Sequence, residues 1–269
     1  MTSFILKIIA LTTMIIDHTG AMFPHYFGFE FRVIGRVAFP IFVFLLAEGF
    51  RHTRSPQKFL VRLGVFAIIS EPFFDLALRT DLRAVEHINL QFLMGNINFF
   101  ANTNIFYTLF LGGVAICGFN YVIKWKESRN LETIAAGGLI VAALFFAEIL
   151  TTDYASYGVA FILIMYVITN KKIRLAVMAV MCVSHHNWIL EFIFLGQADR
   201  LDILHIMMIP ATLVPVILAA FYNGKRGPNI KMFFYAAYPA HLAVLFFIAA
   251  NTRTNEMCNL ITTASYFIW

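Results

Sequence analysis

Residues 4–23 read FILKIIALTTMIIDHTGAMF, an apolar run long enough to cross a lipid bilayer as one helix. A bilayer core of about 30 Å needs about 20 apolar residues in helical conformation. Runs of similar length recur along the chain, and short links separate them. They predict an all-α fold, a polytopic transmembrane bundle of about nine spans, as a single domain over 1–269. The predicted spans are 4–23, 33–50, 59–78, 104–123, 132–150, 154–169, 173–194, 203–222 and 232–250.

The composition excludes a water-soluble globular protein. Hydrophobic residues make up 60% of the 269-residue chain and charged residues only 13%, with a mean hydropathy of +0.77. A soluble domain is about one quarter charged. The pI of 9.2 does not indicate a nucleic-acid partner, because the basic residues fall in short links and form no continuous face. The first run contains Asp17 and has no small-residue cleavage site, so we expect a retained span and not a signal peptide.

The distribution of lysine and arginine among the links predicts the orientation of the chain. Cytoplasmic links of membrane proteins are enriched in these residues. Every second link is basic, and the links between them are poor in net positive charge. The N-terminus and the basic links are therefore predicted to be cytoplasmic, and the tail after Asn251 to lie outside. The basic links are 51–58 (RHTRSPQK), 124–130 (KWKESRN), 170–174 (NKKIR) and 223–231 (NGKRGPNIK).

Ionisable side chains inside the predicted spans form the first candidate site. Placing such groups inside a bilayer costs free energy, so each of them is a candidate functional residue. Several lie toward the predicted outer side, where a helix bundle can bring them to one water-filled cavity. A histidine there, oriented by a carboxylate of Asp17 or Asp75, is suited to general base catalysis. Arg36 is expected to compensate the carboxylates. The outer set is Asp17, His18, Arg36, Glu71, Asp75 and Asp153.

A second histidine is a rival base. His241 lies midway along the last span, on the same helical face as Tyr238 and just after Pro239. The alternative for every charge in these spans is structural, because buried ion pairs also lock helices together.

The basic links of the cytoplasmic side form the second candidate site. Clusters of arginine and lysine with exposed backbone N–H groups suit phosphate binding. The alternative is that these links only set the topology. The turn NGKRGP is the exception, since orientation does not require its glycines. The candidate phosphate ligands are Arg51, Arg54, Lys58, Asn223, Lys225 and Arg226.

No metal site is expected. Cys117, Cys182 and Cys258 are isolated and lack the spacing of a zinc site or a disulfide framework. His185 and His186 have no carboxylates at ligand spacing.

Five stretches resemble the TraX family, membrane proteins named for the N-terminal acetylation of conjugative pilin. They run in order from the first predicted span to the last, whereas 79–103 matches no part of the family that we recognise. The stretches are 7–20 (KIIALTTMIIDHTG), 32–54 (RVIGRVAFPIFVFLLAEGFRHTR), 70–76 (SEPFFDL), 104–112 (NIFYTLFLG) and 223–242 (NGKRGPNIKMFFYAAYPAHL).

This resemblance, which extends to the wider group of multi-span acyltransferases, implies an acetyl-CoA-dependent N- or O-acetyltransferase. It implies a bacterial cytoplasmic membrane location, and a pilin N-terminus or another envelope acceptor as partner. CoA phosphates would bind the basic links. His18 would serve as base or transient acetyl carrier, with Arg36 stabilising the oxyanion.

Two other classes remain open. A proton-coupled transporter would use the carboxylates within the spans as a relay, although no inverted repeat is visible. A non-enzymatic subunit of a conjugation or secretion apparatus would tolerate neutral substitutions in the charged cluster and would not bind CoA.

Overall fold

A computed structural model describes residues 1–80, 88–124, 131–184 and 203–252 of the chain. The described part is helical and contains no β-strand. The helices are α1 Ser3–Met22, α2 Pro24–Gly35, α3 Ala38–His52, α4 Pro56–Phe74, α5 Leu90–Gly95, α6 Ile105–Lys124, α7 Leu131–Ile149, α8 Ala155–Val167, α9 Lys171–Ser184, α10 Ile203–Ala220 and α11 Lys231–Thr252.

Most predicted spans coincide with one of these helices, and several are long and apolar enough to cross a membrane. Those are Ser3–Met22, Pro24–His52, Ile105–Ile123 and Lys231–Thr252, and shorter apolar helices cover Ile134–Ile149, Ala155–Val167 and Pro210–Ala220. The chain is therefore an integral membrane protein. The count of nine crossings stays a prediction, because the 13 residues of α8 extend only about 20 Å.

The region before α3 differs from the sequence prediction. Residues 24–32 were expected to form a loop, but they are helical, with a kink at Gly28 where φ is 47°. The chain then breaks at 36–37, between α2 and α3. Arg36 therefore lies at a break between two helices, inside the apolar stretch Pro24–His52. The third predicted span also ends differently, because α4 passes into a π-helical turn at Asp75–Arg79.

The core of the bundle surrounds α3. Residues 38–47 of this helix are all apolar, as expected of a segment enclosed by other helices, and most of the helix is buried. It packs against α1, α6, α8 and α10, while α11 lies against α1 and α4. The bundle therefore brings the first and last described helices together.

One end of the bundle collects the basic links that the structure describes. The N-terminal ammonium donates to the carbonyl of Phe221, the N–H of Ser3 to Lys225, and the Lys171 Nζ to Ala220. Arg51 reaches the carbonyls at the end of α8. The links 51–58, 170–174 and 223–231 thus share one end with the N-terminus. The cytoplasmic location of this end of the bundle stays a prediction. Residues 125–130 of the fourth basic link, His185, His186 and the tail from 253 lie outside the described residues.

Candidate functional site

A large cavity opens at the basic end of the bundle. Its volume is about 810 Å³, and its walls come from α1, α3, α4, α6 and α11 together with the links 53–55 and 222–226. The wall near the mouth carries polar and charged side chains. The deep part is lined by apolar and aromatic side chains, among them Leu63, Ile105, Phe106 and Leu109. Such a combination suits a ligand with an anionic head and an apolar arm.

The charged side chains of this cavity are mostly cationic. Of the six predicted phosphate ligands, the structure places Arg54, Lys58 and Arg226 on the lining. Glu48 and His52 also line it. Three further cations line it: Lys7, which was not predicted, and Arg62 and Lys231, which belong to the two predicted basic clusters but not to the six chosen ligands. Lys58 and Arg62 are four residues apart in α4 and share one helical face, a spacing that was available from the sequence, whereas Arg54 lies in the link before this helix.

Arg51 has a structural role and does not line the cavity. Its guanidinium donates to Glu48 at 2.7 Å, and to the carbonyls of Met165, Tyr166 and Ile168 at 2.8, 2.6 and 2.7 Å. Glu48 also accepts from Arg174 at 2.5 Å. The contacts of Arg51 lie within α3 or join it to the end of α8, so its prediction as a phosphate ligand receives no support from this arrangement.

The NGKRGP turn anchors the N-terminus. Gly224 and Gly227 have φ of 76° and 75°, a region that favours glycine. A Cβ on Gly227 would lie 2.8 Å from the Cβ of Phe4. The carbonyls of Lys225 and Arg226 accept from the backbone of the N-terminal residues. Gly227 therefore has a conformational and a packing reason and Gly224 a conformational one. Lys225 and Asn223 lie off the cavity lining.

Tyr238 lies at the deep end of the cavity and connects it to two histidines. The tyrosine is 2% exposed. Its hydroxyl lies near the backbone N–H of Ile105 but completes no hydrogen bond of normal geometry within the described chain. Its ring makes edge contacts with His18 and His241, with centroid distances of 6.1 and 5.5 Å. The histidines themselves lie behind it and do not line the cavity.

His18 and His241 form one hydrogen-bonded pair. The Nδ1 of His18 lies 2.7 Å from the Nε2 of His241, and the Nδ1 of His241 lies 2.9 Å from the carbonyl oxygen of Ala237. Both residues are 9% exposed. The two bases that the sequence presented as rivals are therefore parts of the same site.

The carboxylates of the predicted outer set lie in separate contacts. Asp17 pairs with Arg32 at 2.7 Å, although Arg36 was expected to compensate it. Arg36 lies in electrostatic range of Asp17 and Asp153, and its Nε has no hydrogen-bond partner in the described chain. The shared outer cavity therefore stays a prediction: the hydrogen bonds divide these carboxylates among separate partners, while electrostatic interactions still connect Asp17, Arg36 and Asp153.

Asp75 was expected to orient His18, but its Oδ2 instead accepts a hydrogen bond from the backbone N–H of Asn98 at 2.6 Å. Glu71 is fully buried, and its Oε2 accepts from the backbone N–H and side-chain amide of Asn104 at 3.0 and 2.5 Å. The Oε1 of Glu71 has no partner within the described residues.

Asp153 lies in the turn between α7 and α8 and keeps an exposed face. Desolvation by the protein atoms around it, and then the negative charge of Asp17, raise the pKa of Asp153 to about 6. Its backbone N–H donates to the carbonyl oxygen of Thr103 at 2.9 Å, which connects the turn between α7 and α8 to the segment just before α6.

Within the described residues, no group of three or more histidine, cysteine or acidic side chains is placed to hold a metal ion. The fold and this site define an integral membrane protein with a cavity that is basic at the mouth and apolar in its depth, and with a histidine pair behind Tyr238.

Comparison with known proteins defines the family. The TraX protein family matches residues 3–249, and the chain belongs to that family. It is also similar to the "Probable fimbrial assembly protein FimC, serogroup H1" of Dichelobacter nodosus, at 30% identity over 257 residues, 91% of this chain and 94% of the relative. No solved structure matches the chain.

Proposed function

We propose that the protein is an acetyltransferase of the bacterial cytoplasmic membrane. It takes an acetyl group from acetyl-CoA in the basic cavity and transfers it to an acceptor amine, by family resemblance the N-terminus of a pilin. The observation that carries the proposal is the cavity, which is cationic at its mouth and leads through Tyr238 to a buried histidine pair. The TraX family and the fimbrial assembly relative support a pilin-related acceptor.

The cavity suits CoA in both charge and shape. Arg54, Lys58 and Arg226 lie at the mouth, where the phosphates of CoA would bind. Lys7 and Arg62 extend the positive lining toward the interior. The apolar depth would receive the pantetheine arm, which places the thioester near Tyr238.

Tyr238 and the histidine pair supply the groups that acyl transfer needs. A neutral amine attacks the thioester carbonyl, and its nitrogen must lose one proton as the C–N bond forms, so a base must accept that proton. The histidine pair fills this role. Negative charge develops on the carbonyl oxygen during the attack, and the free hydroxyl of Tyr238 can donate a hydrogen bond to it. The C–N bond forms, the C–S bond breaks, and CoA leaves.

The test uses the full-length protein in lipid nanodiscs with acetyl-CoA and a short peptide that has a free N-terminal amine. Release of the CoA thiol measures turnover, and the same peptide with an acetylated N-terminus is the control substrate. We expect release with the first peptide alone. His18→Ala should lower kcat by about 100-fold or more, in the range of a lost general base. Full turnover in both His18→Ala and His241→Ala would refute the assignment of the histidine pair as the catalytic site.

Donor binding is tested separately by the KM for acetyl-CoA. Arg62→Ala and Arg226→Ala should each raise KM, because each removes a cation from the cavity lining. Lys172→Ala is the matched control, since Lys172 is an exposed lysine at the same end and does not line the cavity. An equal rise in KM in all three variants would indicate a general effect of charge and not a binding site.

The printed name of the fimbrial relative supports a second candidate, a non-enzymatic assembly subunit. That function predicts no binding of acetyl-CoA and normal pilus assembly after neutral replacement of His18. Pilus assembly in cells that carry His18→Gln, measured together with acetylation of the assembled pilin, separates the two functions.

A further inference from the structure

The hydrogen bonds of the histidine pair determine where its protons lie. A carbonyl oxygen only accepts, so the Nδ1 of His241 must carry a hydrogen, which it donates to Ala237 at 2.9 Å. In a neutral imidazole the other nitrogen then has a free lone pair. The Nε2 of His241 is therefore an acceptor, and the Nδ1 of His18, 2.7 Å away, must be the donor.

The same rule leaves the Nε2 of His18 without a hydrogen. This nitrogen makes no hydrogen bond within the described part of the chain, so its lone pair is available. Each histidine is thus in its Nδ1–H tautomer, and a single chain of donors runs from His18 through His241 to the carbonyl of Ala237.

The ring geometry agrees with a directed hydrogen bond. The two rings are inclined by only 15°, and their centroids are 5.0 Å apart. With the nitrogens at 2.7 Å, the rings meet edge to edge in nearly one plane and are not stacked face to face. The edge contacts of Tyr238 with both rings restrict their rotation further.

We propose that His241 is a positioning residue, which holds His18 in the tautomer that presents an unprotonated Nε2 as the catalytic base. This inference rests on the proposed acetyl transfer for its kinetic consequence. During the reaction the proton of the attacking amine moves to the Nε2 of His18. The resulting imidazolium strengthens the hydrogen bond from Nδ1 to His241, because its donor is then charged. The proton passes to the departing thiolate, which restores neutral His18.

A conservative variant separates positioning from catalysis. In His241→Gln the side-chain oxygen can accept from His18 near the former position of Nε2, whereas His241→Ala removes the acceptor. Loss of the orienting partner of a catalytic histidine lowers turnover by about 10²–10⁴-fold in enzymes where the tautomer becomes wrong. We expect a loss in this range for His241→Ala with an unchanged KM for acetyl-CoA, and kcat within about tenfold of wild type for His241→Gln.

The tautomer itself is measured by ¹⁵N NMR of the histidine-labelled protein in nanodiscs, since ring nitrogens with and without hydrogen differ in chemical shift. The signals of His18 are assigned by their loss in His18→Gln. An unprotonated Nε2 and a protonated Nδ1 are expected, and this measurement needs no enzymatic activity. Protonated Nε2 in the wild-type protein, or wild-type kcat in His241→Ala, would overturn the inference. Absence of CoA release by the wild-type protein would instead refute the proposed function.

Discussion

Replacing Glu48 with glutamine should leave Arg174 as an unpaired cation inside the bundle. The carboxylate accepts from Arg174 at 2.5 Å and from Arg51 at 2.7 Å. Arg51 keeps its three backbone acceptors in the variant. Among the described residues, Arg174 then keeps the face of Phe44, 4.9 Å from its guanidinium carbon, and its side chain is 9% exposed. The penalty therefore falls on Arg174.

The magnitude follows from the burial of this pair. Removing one partner of a buried ion pair costs about 3–5 kcal/mol. Glutamine retains an oxygen that can accept one hydrogen bond, so we expect about 2–3 kcal/mol for Glu48→Gln. For a protein of this size, 1 kcal/mol shifts the melting temperature by about 2–4 °C. The expected decrease is therefore about 5–10 °C.

The assay is the loss of the monodisperse peak in size-exclusion chromatography after heating of the detergent-solubilised protein. Glu148→Gln is the control, because Glu148 is exposed and its replacement should change stability by less than about 0.5 kcal/mol. The double variant Glu48→Gln, Arg174→Met removes the unpaired cation and should melt above Glu48→Gln alone. A melting temperature of Glu48→Gln within about 2 °C of wild type, or a double variant with simply additive losses, would refute this reasoning.

Three further predictions concern close packing and pH. Gly227→Ala should cost about 2–4 kcal/mol, since it adds a clash with the N-terminal segment to the strain of a positive φ; Gly224→Ala, with equal φ and open space, should cost only about 1 kcal/mol in the same melting assay. Gly35→Ala should displace α2 from α1, because the new Cβ would lie 2.1 Å from the Oδ1 of Asp17. Its melting temperature should therefore be lower than that of the control Gly137→Ala, whose new Cβ meets no atom within 4 Å. The raised pKa of Asp153 means that the folded state binds more protons than the unfolded state between about pH 4 and pH 6, so stability should fall as pH rises through that window. Asp153→Asn should flatten this dependence, and an unchanged slope would contradict it.

Much of the fold was predictable because hydropathy is a local property. The runs 4–23, 104–123 and 232–250 match helices to within a few residues. The prediction failed at 24–32, where a short polar and aromatic segment forms a helix. Its turns are stabilised by packing against α1, a contribution that composition alone does not contain.

The candidate site was predictable in its residue types and only partly in its arrangement. His18, Tyr238 and His241 were singled out because polar groups are rare in apolar helices. The pairing of His18 with His241 was not predictable, because the two histidines are 223 residues apart in sequence and meet through the contact of α1 with α11. Lys7 was missed as a cavity residue because an isolated lysine in a first span also fits a topology signal.

The sequence by itself determined that this protein lies in a membrane, that it belongs with the TraX proteins, and that its basic links should share one end. These properties depend on transfer free energy and charge along the chain, which act on each segment separately. Only the tertiary structure decided that Arg32 and not Arg36 pairs with Asp17, that the NGKRGP turn anchors the N-terminus, and that His18 and His241 form one hydrogen-bonded pair. The rotation of each helix about its axis decides such contacts, and that rotation is set by the packing of all its neighbours together.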